Sequence, residues 1–149
     1  MKITLLTLLL ISGLLASKIS FKEFRYMKAL DFETEKHGIL DIKDELLVLN
    51  YTKPAKETIS YLEDKLTILQ GDTLKQYSFE EYPQAQYMGL ILKAILKDEY
   101  ESLSEFFEIK KDNEFVSMVA KPIIYSTIIS IEVSKNKNIV TKIVINMTN

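Results

Sequence analysis

Between residues 21 and 79 the chain alternates apolar and polar side chains in short runs, the two-residue period of half-buried strands. The alternation predicts strands over 21–28, 32–42, 46–51, 58–62, 66–69 and 73–79, and again over 115–121. It is clearest near the C-terminus, where Ile129, Ile131 and Val133 alternate with Ser130, Glu132 and Ser134. A polar break, Lys135-Asn136-Lys137-Asn138, precedes Ile139, Thr141, Ile143, Ile145 and Met147 on one face, which predicts a β-hairpin. The earlier breaks are equally short: Asp44-Glu45, Glu63-Asp64-Lys65 and Gln70-Gly71-Asp72. Parallel neighbours need a dozen or more connecting residues, so this spacing predicts an antiparallel meander.

The period changes at Pro83. From 83 to 97 the apolar residues Tyr87, Met88, Ile91, Leu92, Ile95 and Leu96 recur at three- and four-residue steps, with proline where a first helical turn accepts it. Leu90 and Ala94 widen the apolar stripe, and a second short helix is expected over 102–107, carrying Leu103, Phe106 and Phe107. The expected fold class is therefore α+β: one long antiparallel sheet, curled about its apolar face, with a helix inserted across the opening. No linker or repeat marks a second domain.

The N-terminus follows a third pattern. Lys2 leads into an apolar run over 3–15, interrupted only by Thr4, Thr7, Ser12 and Gly13, and then into Ala16 and Ser17. This is a secretory signal in outline, shorter than the ~20 residues of a membrane-spanning helix. Residues 1–17 are expected to be cleaved on export, leaving 18–149 as a single mature domain. Lys18 stands where a lipoprotein signal would place cysteine, so no lipid anchor is expected.

Composition then removes whole classes of function. The 149 residues hold 19 basic and 21 acidic side chains, one histidine and no cysteine. A formal charge of −2, one unit more negative once Lys2 is lost, gives no basic stripe and argues against nucleic acid as a partner. The lack of cysteine excludes disulfides, thiolate metal sites and a cysteine nucleophile. His37, beside Gly38, reads as a strand-end residue, because a metal site needs several converging donors. Glu80-Glu81 and the series Glu99, Glu101, Glu105 read as a solvated face, and Gly38, Gly71 and Gly89 form no phosphate-binding loop. No catalytic residue, metal or cofactor is expected, and an enzyme is the least favoured class.

Against this background one stretch is informative. Gly38-Ile39-Leu40-Asp41-Ile42-Lys43 is followed by Leu46-Leu47-Val48-Leu49-Asn50-Tyr51-Thr52-Lys53-Pro54 and then by a turn-linked strand pair over 59–69. With the kernel Phe21-Lys22-Glu23-Phe24 ahead of it, this order resembles the periplasmic outer-membrane lipoprotein carrier proteins (LolA-like). In that family a glycine opens a strand ending in basic residues, and the next strand closes on an aromatic, a threonine or similar residue and a proline. The resemblance covers most of the mature chain, with departures: Leu49 replaces the usual tryptophan, Asp44 stands where the family turns through a proline, and the long N-terminal helix is nearly absent. It implies a half-open, strongly curved antiparallel sheet, an incomplete barrel with a helical lid (LolA/LolB-like).

It also implies a soluble, monomeric periplasmic carrier that shelters acyl chains and moves lipoproteins from inner to outer membrane. Its expected partners are acylated lipoproteins, an inner-membrane lipoprotein-releasing transporter and an outer-membrane acceptor. The expected acyl-chain trough is formed by Phe24, Tyr26, Leu40, Ile42, Leu47, Leu49, Tyr51, Ile59, Tyr61 and Ile68. The lid is formed by Met88, Ile91, Leu92, Ile95 and Leu96, and Lys43 falls where the family uses a basic residue to latch the lid. Two other readings fit the same residues: a module binding a free lipid or small apolar ligand, and an interaction or assembly protein with a collapsed sheet face and a pairing edge.

Overall fold

A computed structural model describes residues 3–12 and 18–148. The predicted cleavage segment, including Gly13, Leu14, Leu15, Ala16 and Ser17, lies outside the described residues. The strands are β1 (Ile3–Ser12), β2 (Lys18–Met27), β3 (Phe32–Lys43), β4 (Leu46–Lys53), β5 (Glu57–Tyr61), β6 (Lys65–Gln70) and β7 (Thr73–Ser78). After them come helix α1 (Pro83–Leu96), a 3-10 turn (Tyr100–Leu103), β8 (Phe107–Lys111), β9 (Phe115–Ala120), β10 (Ile128–Asn136) and β11 (Ile139–Thr148). Among the described residues eleven strands pair in the order β7-β6-β5-β4-β3-β2-β1-β11-β10-β9-β8. Among them, too, no helix is long and apolar enough to cross a membrane.

The turns explain why the strands reverse where they do. Asn136 pairs with Ile139 across Lys137 and Asn138, both at positive φ (51° and 65°), the geometry of a type I′ hairpin turn. Gln70 pairs with Thr73 across Gly71 (φ 58°) and Asp72, so the glycine takes the left-handed position that opens a tight turn. At the β8–β9 reversal Asp112 Oδ1 accepts from the backbone N–H groups of Glu114 and Phe115, each at 2.8 Å, an Asx turn that side-chain chemistry alone specifies.

Helix α1 begins at Pro83 and ends in a Schellman pattern: the Glu99 N–H donates to Ala94 O at 2.8 Å and the Asp98 N–H to Ile95 O at 3.2 Å. Asp98 occupies the left-handed position (φ 56°) that glycine usually fills, and its carboxylate lies 3.4 Å from the Lys135 ammonium. The short helix expected over 102–107 is corrected. The helical turn is Tyr100–Leu103, and Phe107 opens β8, because Phe107, Glu108 and Ile109 alternate and pair with Ala120, Val119 and Met118.

The chain divides into two compact units. The first takes the described parts of Met1–Leu10, Lys22–Glu35 and Ala94–Asn149; the second takes those of Ile11–Phe21 and Lys36–Lys93. In the first, β9, β10, β11 and β1 align Met118, Ile131, Ile145 and Leu6 in one row and Val116, Val133, Ile143 and Leu8 in the next. All are buried, at 0–4% exposure, and a fully buried side chain of this kind contributes about 1.5–3 kcal/mol. The run expected to be an export signal is thus, in the unprocessed chain, a strand whose Leu6 and Leu8 complete this face.

In the second unit β3 to β7 form the predicted meander, with pairs Leu40–Leu49, Leu49–Ile59 and Ile59–Ile68 in one row. Ile42–Leu47, Leu47–Tyr61, Tyr61–Leu66 and Leu66–Tyr77 form the next. Residues directly opposite in a ladder point to the same side, so these side chains share one face.

Candidate functional site

Leu40, Ile42, Leu47, Leu49, Tyr51, Ile59, Tyr61 and Ile68 share one apolar face of the second unit. Its burial is graded. Leu40, Leu47, Leu49, Tyr51 and Tyr61 are buried, whereas Ile42, Ile59, Leu66 and Ile68 are half-buried. Phe21 joins the buried end: its ring meets Tyr51 edge-on at 5.4 Å between centroids. Gly38 makes that contact possible, since a Cβ there would lie 2.6 Å from Asn50 O and 2.7 Å from Phe21 Cζ. On the other side of Tyr51 the Lys36 ammonium sits 5.0 Å from the ring centroid, a cation–π contact that also brings it within 3.9 Å of Glu57.

Helix α1 lies on this face at Tyr61. Gly89 sets the distance, because a Cβ at that position would come within 2.9 Å of the tyrosine ring. Close seating does not fill the face. One cavity of about 260 Å³ is lined by Tyr61, Leu62, Phe79, Gln86, Gly89, Leu90 and Lys93, with Glu45 and Glu63 at its margin. Another of about 260 Å³ lies beside Leu66, Tyr77, Tyr82, Gln84 and Ala85, where Tyr77 and Tyr82 meet edge-on at 5.1 Å. The helix therefore runs over an apolar sheet face with unfilled space at both places.

The expected site residues divide accordingly. Ladder register brings Leu40, Ile42, Leu47, Leu49, Tyr51, Ile59, Tyr61 and Ile68 together as one surface. Phe24 and Tyr26 fall in the first unit, where they are half-buried; the Tyr26 hydroxyl donates to Asp31 Oδ1 at 2.9 Å, which raises its pKa. Among the lid residues Ile91, Leu92 and Ile95 are buried, and Met88 and Leu96 half-buried. Ala94 is buried as the widened stripe implied, but Leu90 is 43% exposed: it faces outward from the second unit beside its cavity. Lys43 is exposed at the end of β3, where its backbone pairs with Leu46, and among the described residues its ammonium makes no hydrogen bond or ion pair.

Sequence reasoning missed Phe21, Leu66 and Tyr77 as members of the face. Leu66 and Tyr77 were legible in principle, since the break at 63–65 fixes Leu66 opposite Tyr61. Phe21 depends on a contact across strands that no local pattern encodes.

His37 lies within β3, and its carbonyl accepts from Thr52 Oγ1 at 3.4 Å. Among the described residues no group of His, Asp and Glu is placed to hold a metal ion. The most perturbed side chain is Tyr100 in the first unit. Burial, with the Asp98 carboxylate nearby, pushes its phenol up to about 12, and its hydroxyl has no hydrogen-bond partner. The ammonium groups of Lys111 and Lys135 lie 5.1 and 5.0 Å from its ring centroid. No family model matches the chain, and no curated protein is significantly similar to it.

Proposed function

We propose that the protein is an exported carrier that shelters an acyl chain on the apolar face of β3–β6, with α1 as a displaceable lid. The supporting observation is the incomplete burial of Ile42, Ile59, Leu66 and Ile68 on a face the helix already covers at Tyr61. A sixteen-carbon chain represents roughly 12 kcal/mol of transfer free energy at about 0.8 kcal/mol per methylene. Release of such cargo requires a competing state, and helix packing on the same face supplies one. In this reading the sheet is the half-open, incomplete barrel of the lipoprotein carriers, the compartment is the periplasm, and the cargo is an acylated lipoprotein passed between two membrane partners. Residues 1–17 act as the export signal. Their removal withdraws Leu6 and Leu8 from the first unit.

A photo-crosslinking residue at Ile59, half-exposed on the face, tests this reading in protein recovered after export from a bacterial host. Acylated peptides in the adduct, identified by mass spectrometry, are the expected result. Free lipid alone would assign a small-ligand module, and no adduct from folded protein would refute carriage. The mature N-terminus, read in the same experiment, is expected at Lys18.

A further inference from the structure

At one end of the second unit three connections converge: the β3–β4 turn, the β5–β6 turn and the segment between β7 and α1. The cavity beside Gly89 continues there into two more, of about 360 and 470 Å³. Glu63 lines all of them; Glu45 and Leu62 are shared with one neighbour, Phe79 and Gln86 with the other. The result is a continuous groove rather than separate dimples. In the first two cavities its lining is apolar, made by Leu46, Leu62, Phe79 and the exposed Leu90; the third is mostly polar, with Asp64, Ser78, Glu80 and Gln86.

Its rim is acidic. Asp44, Glu63, Asp64 and Glu80 stand along it with Glu45, and only Lys43 and Lys93 offset them. Among the described residues the carboxylates of Asp44, Glu63, Asp64 and Glu80 accept no hydrogen bond and join no ion pair. A solvated acidic face would normally lie over polar surface; here unpaired carboxylates border apolar side chains and connected cavities. Such a surface favours an occupant with apolar side chains spaced by cationic ones, and it repels an anionic one.

We propose that this groove docks a basic, amphipathic segment of a partner protein. The groove meets the acyl-chain face at Tyr61, which lines the cavity beside Gly89, and differs from that face in its acidic rim. Coulombic attraction to the rim selects the partner's lysines or arginines and falls with salt, while the floor of Leu46, Leu62, Phe79 and Leu90 requires apolar residues between them.

The test uses the purified full chain and a fluorescein-labelled dodecapeptide of alternating lysine and leucine, followed by anisotropy at low and high salt. Two control peptides replace leucine by serine or lysine by glutamate. Only the lysine–leucine peptide is expected to bind well, more tightly at low salt. A Glu63→Gln/Asp64→Asn variant should weaken it about three- to tenfold, as loss of close charge pairs does. Leu90→Ser, at an exposed position that leaves the fold intact, should weaken it as well. Equal binding of the lysine–serine peptide would reduce the effect to bulk charge and overturn the proposal. So would binding of the glutamate peptide, parental affinity in both variants, or no binding at all. A protein dimer that peptide cannot displace would give the groove to a second copy, which also overturns it. None of these outcomes bears on crosslinking at Ile59, so the two readings fail separately.

Discussion

The rows that run across the two units follow the same alternation and end differently. In the first unit the row Met118, Ile131, Ile145, Leu6 is buried throughout, at 0–4% exposure. In the second, Leu40 and Leu49 are buried at 1% and 5%, but Ile59 and Ile68, next in the row, are half-buried. The neighbouring row repeats the gradient: Leu47 and Tyr61 are buried, Ile42 and Leu66 half-buried. A core that closes on itself stabilises a domain by transfer and packing together. A face that stays partly open forgoes some of that free energy, which is then available to a ligand. Under the proposed function the first unit is scaffold and the second the working surface.

That difference breaks or holds under substitution. The largest effect is expected for Leu92→Asp, which places an unpaired carboxylate at a position 2% exposed. It should cost about 3–4 kcal/mol unless α1 leaves the sheet. The expected outcome is a lowered denaturation midpoint with increased binding of an apolar dye; unchanged stability and dye binding would mean that α1 is not packed as a lid.

Truncations sharpen the contrast between the rows. Ile131→Ala, at a fully buried site, should lose about 2–5 kcal/mol in a urea melt with no effect on an acyl probe. Ile68→Ala, on the half-buried side, should lose less than about 1 kcal/mol and weaken the probe instead. Equal losses of stability would erase the distinction between scaffold and working face.

Gly89→Ala tests the seating of the helix more gently. Alanine gains about 1 kcal/mol of helix propensity, but its Cβ meets the Tyr61 ring at 2.9 Å, so the helix or the ring must move. The expected signature is a small net stability change with faster amide exchange along α1. Exchange rates identical to the parent would show that the close approach constrains nothing.

The smallest effect belongs to Tyr100. Its phenol titrates at about 12 in the folded chain against an ordinary value of 10, so the folded state holds the proton more tightly than the unfolded one. Its contribution is complete below pH 10 and is lost as the pH rises through about 12. Because the hydroxyl lacks a partner, Tyr100→Phe should be nearly neutral at pH 7 and should flatten the alkaline decline between those values. A large loss at pH 7 would reveal a hydrogen bond that the static structure does not show.

Local pattern carried much of the fold. Strands β3 to β7, the β10–β11 hairpin and helix α1 all lie where alternation, Gly71 and Pro83 put them, within a few residues. The period of two put Leu40 with Ile42, Leu47 with Leu49 and Tyr51, and Ile59 with Tyr61 on one side of their own strands, and the ladders join those sides, with Ile68, into one face. Pattern was ambiguous where two structures satisfy the same apolar run. Phe106-Phe107 suited a helix as well as the start of β8, and the run over 3–12 suited an export signal as well as β1. Phe24 and Tyr26 alternate like the other trough residues but belong to the first unit, because alternation assigns a side of a strand and not a neighbour.

What the sequence by itself determined is the list of elements and the sidedness of each, since both follow from spacing along the chain and from turn residues. Only the tertiary structure decided which sides are sealed. Whether Ile131 ends fully buried and Ile68 half-buried depends on what packs opposite each residue, and that partner comes from elsewhere in the chain. The acidic groove around Glu63 arises in the same way: its carboxylates sit on turns separated in sequence, and folding alone brings those turns to one end of the sheet.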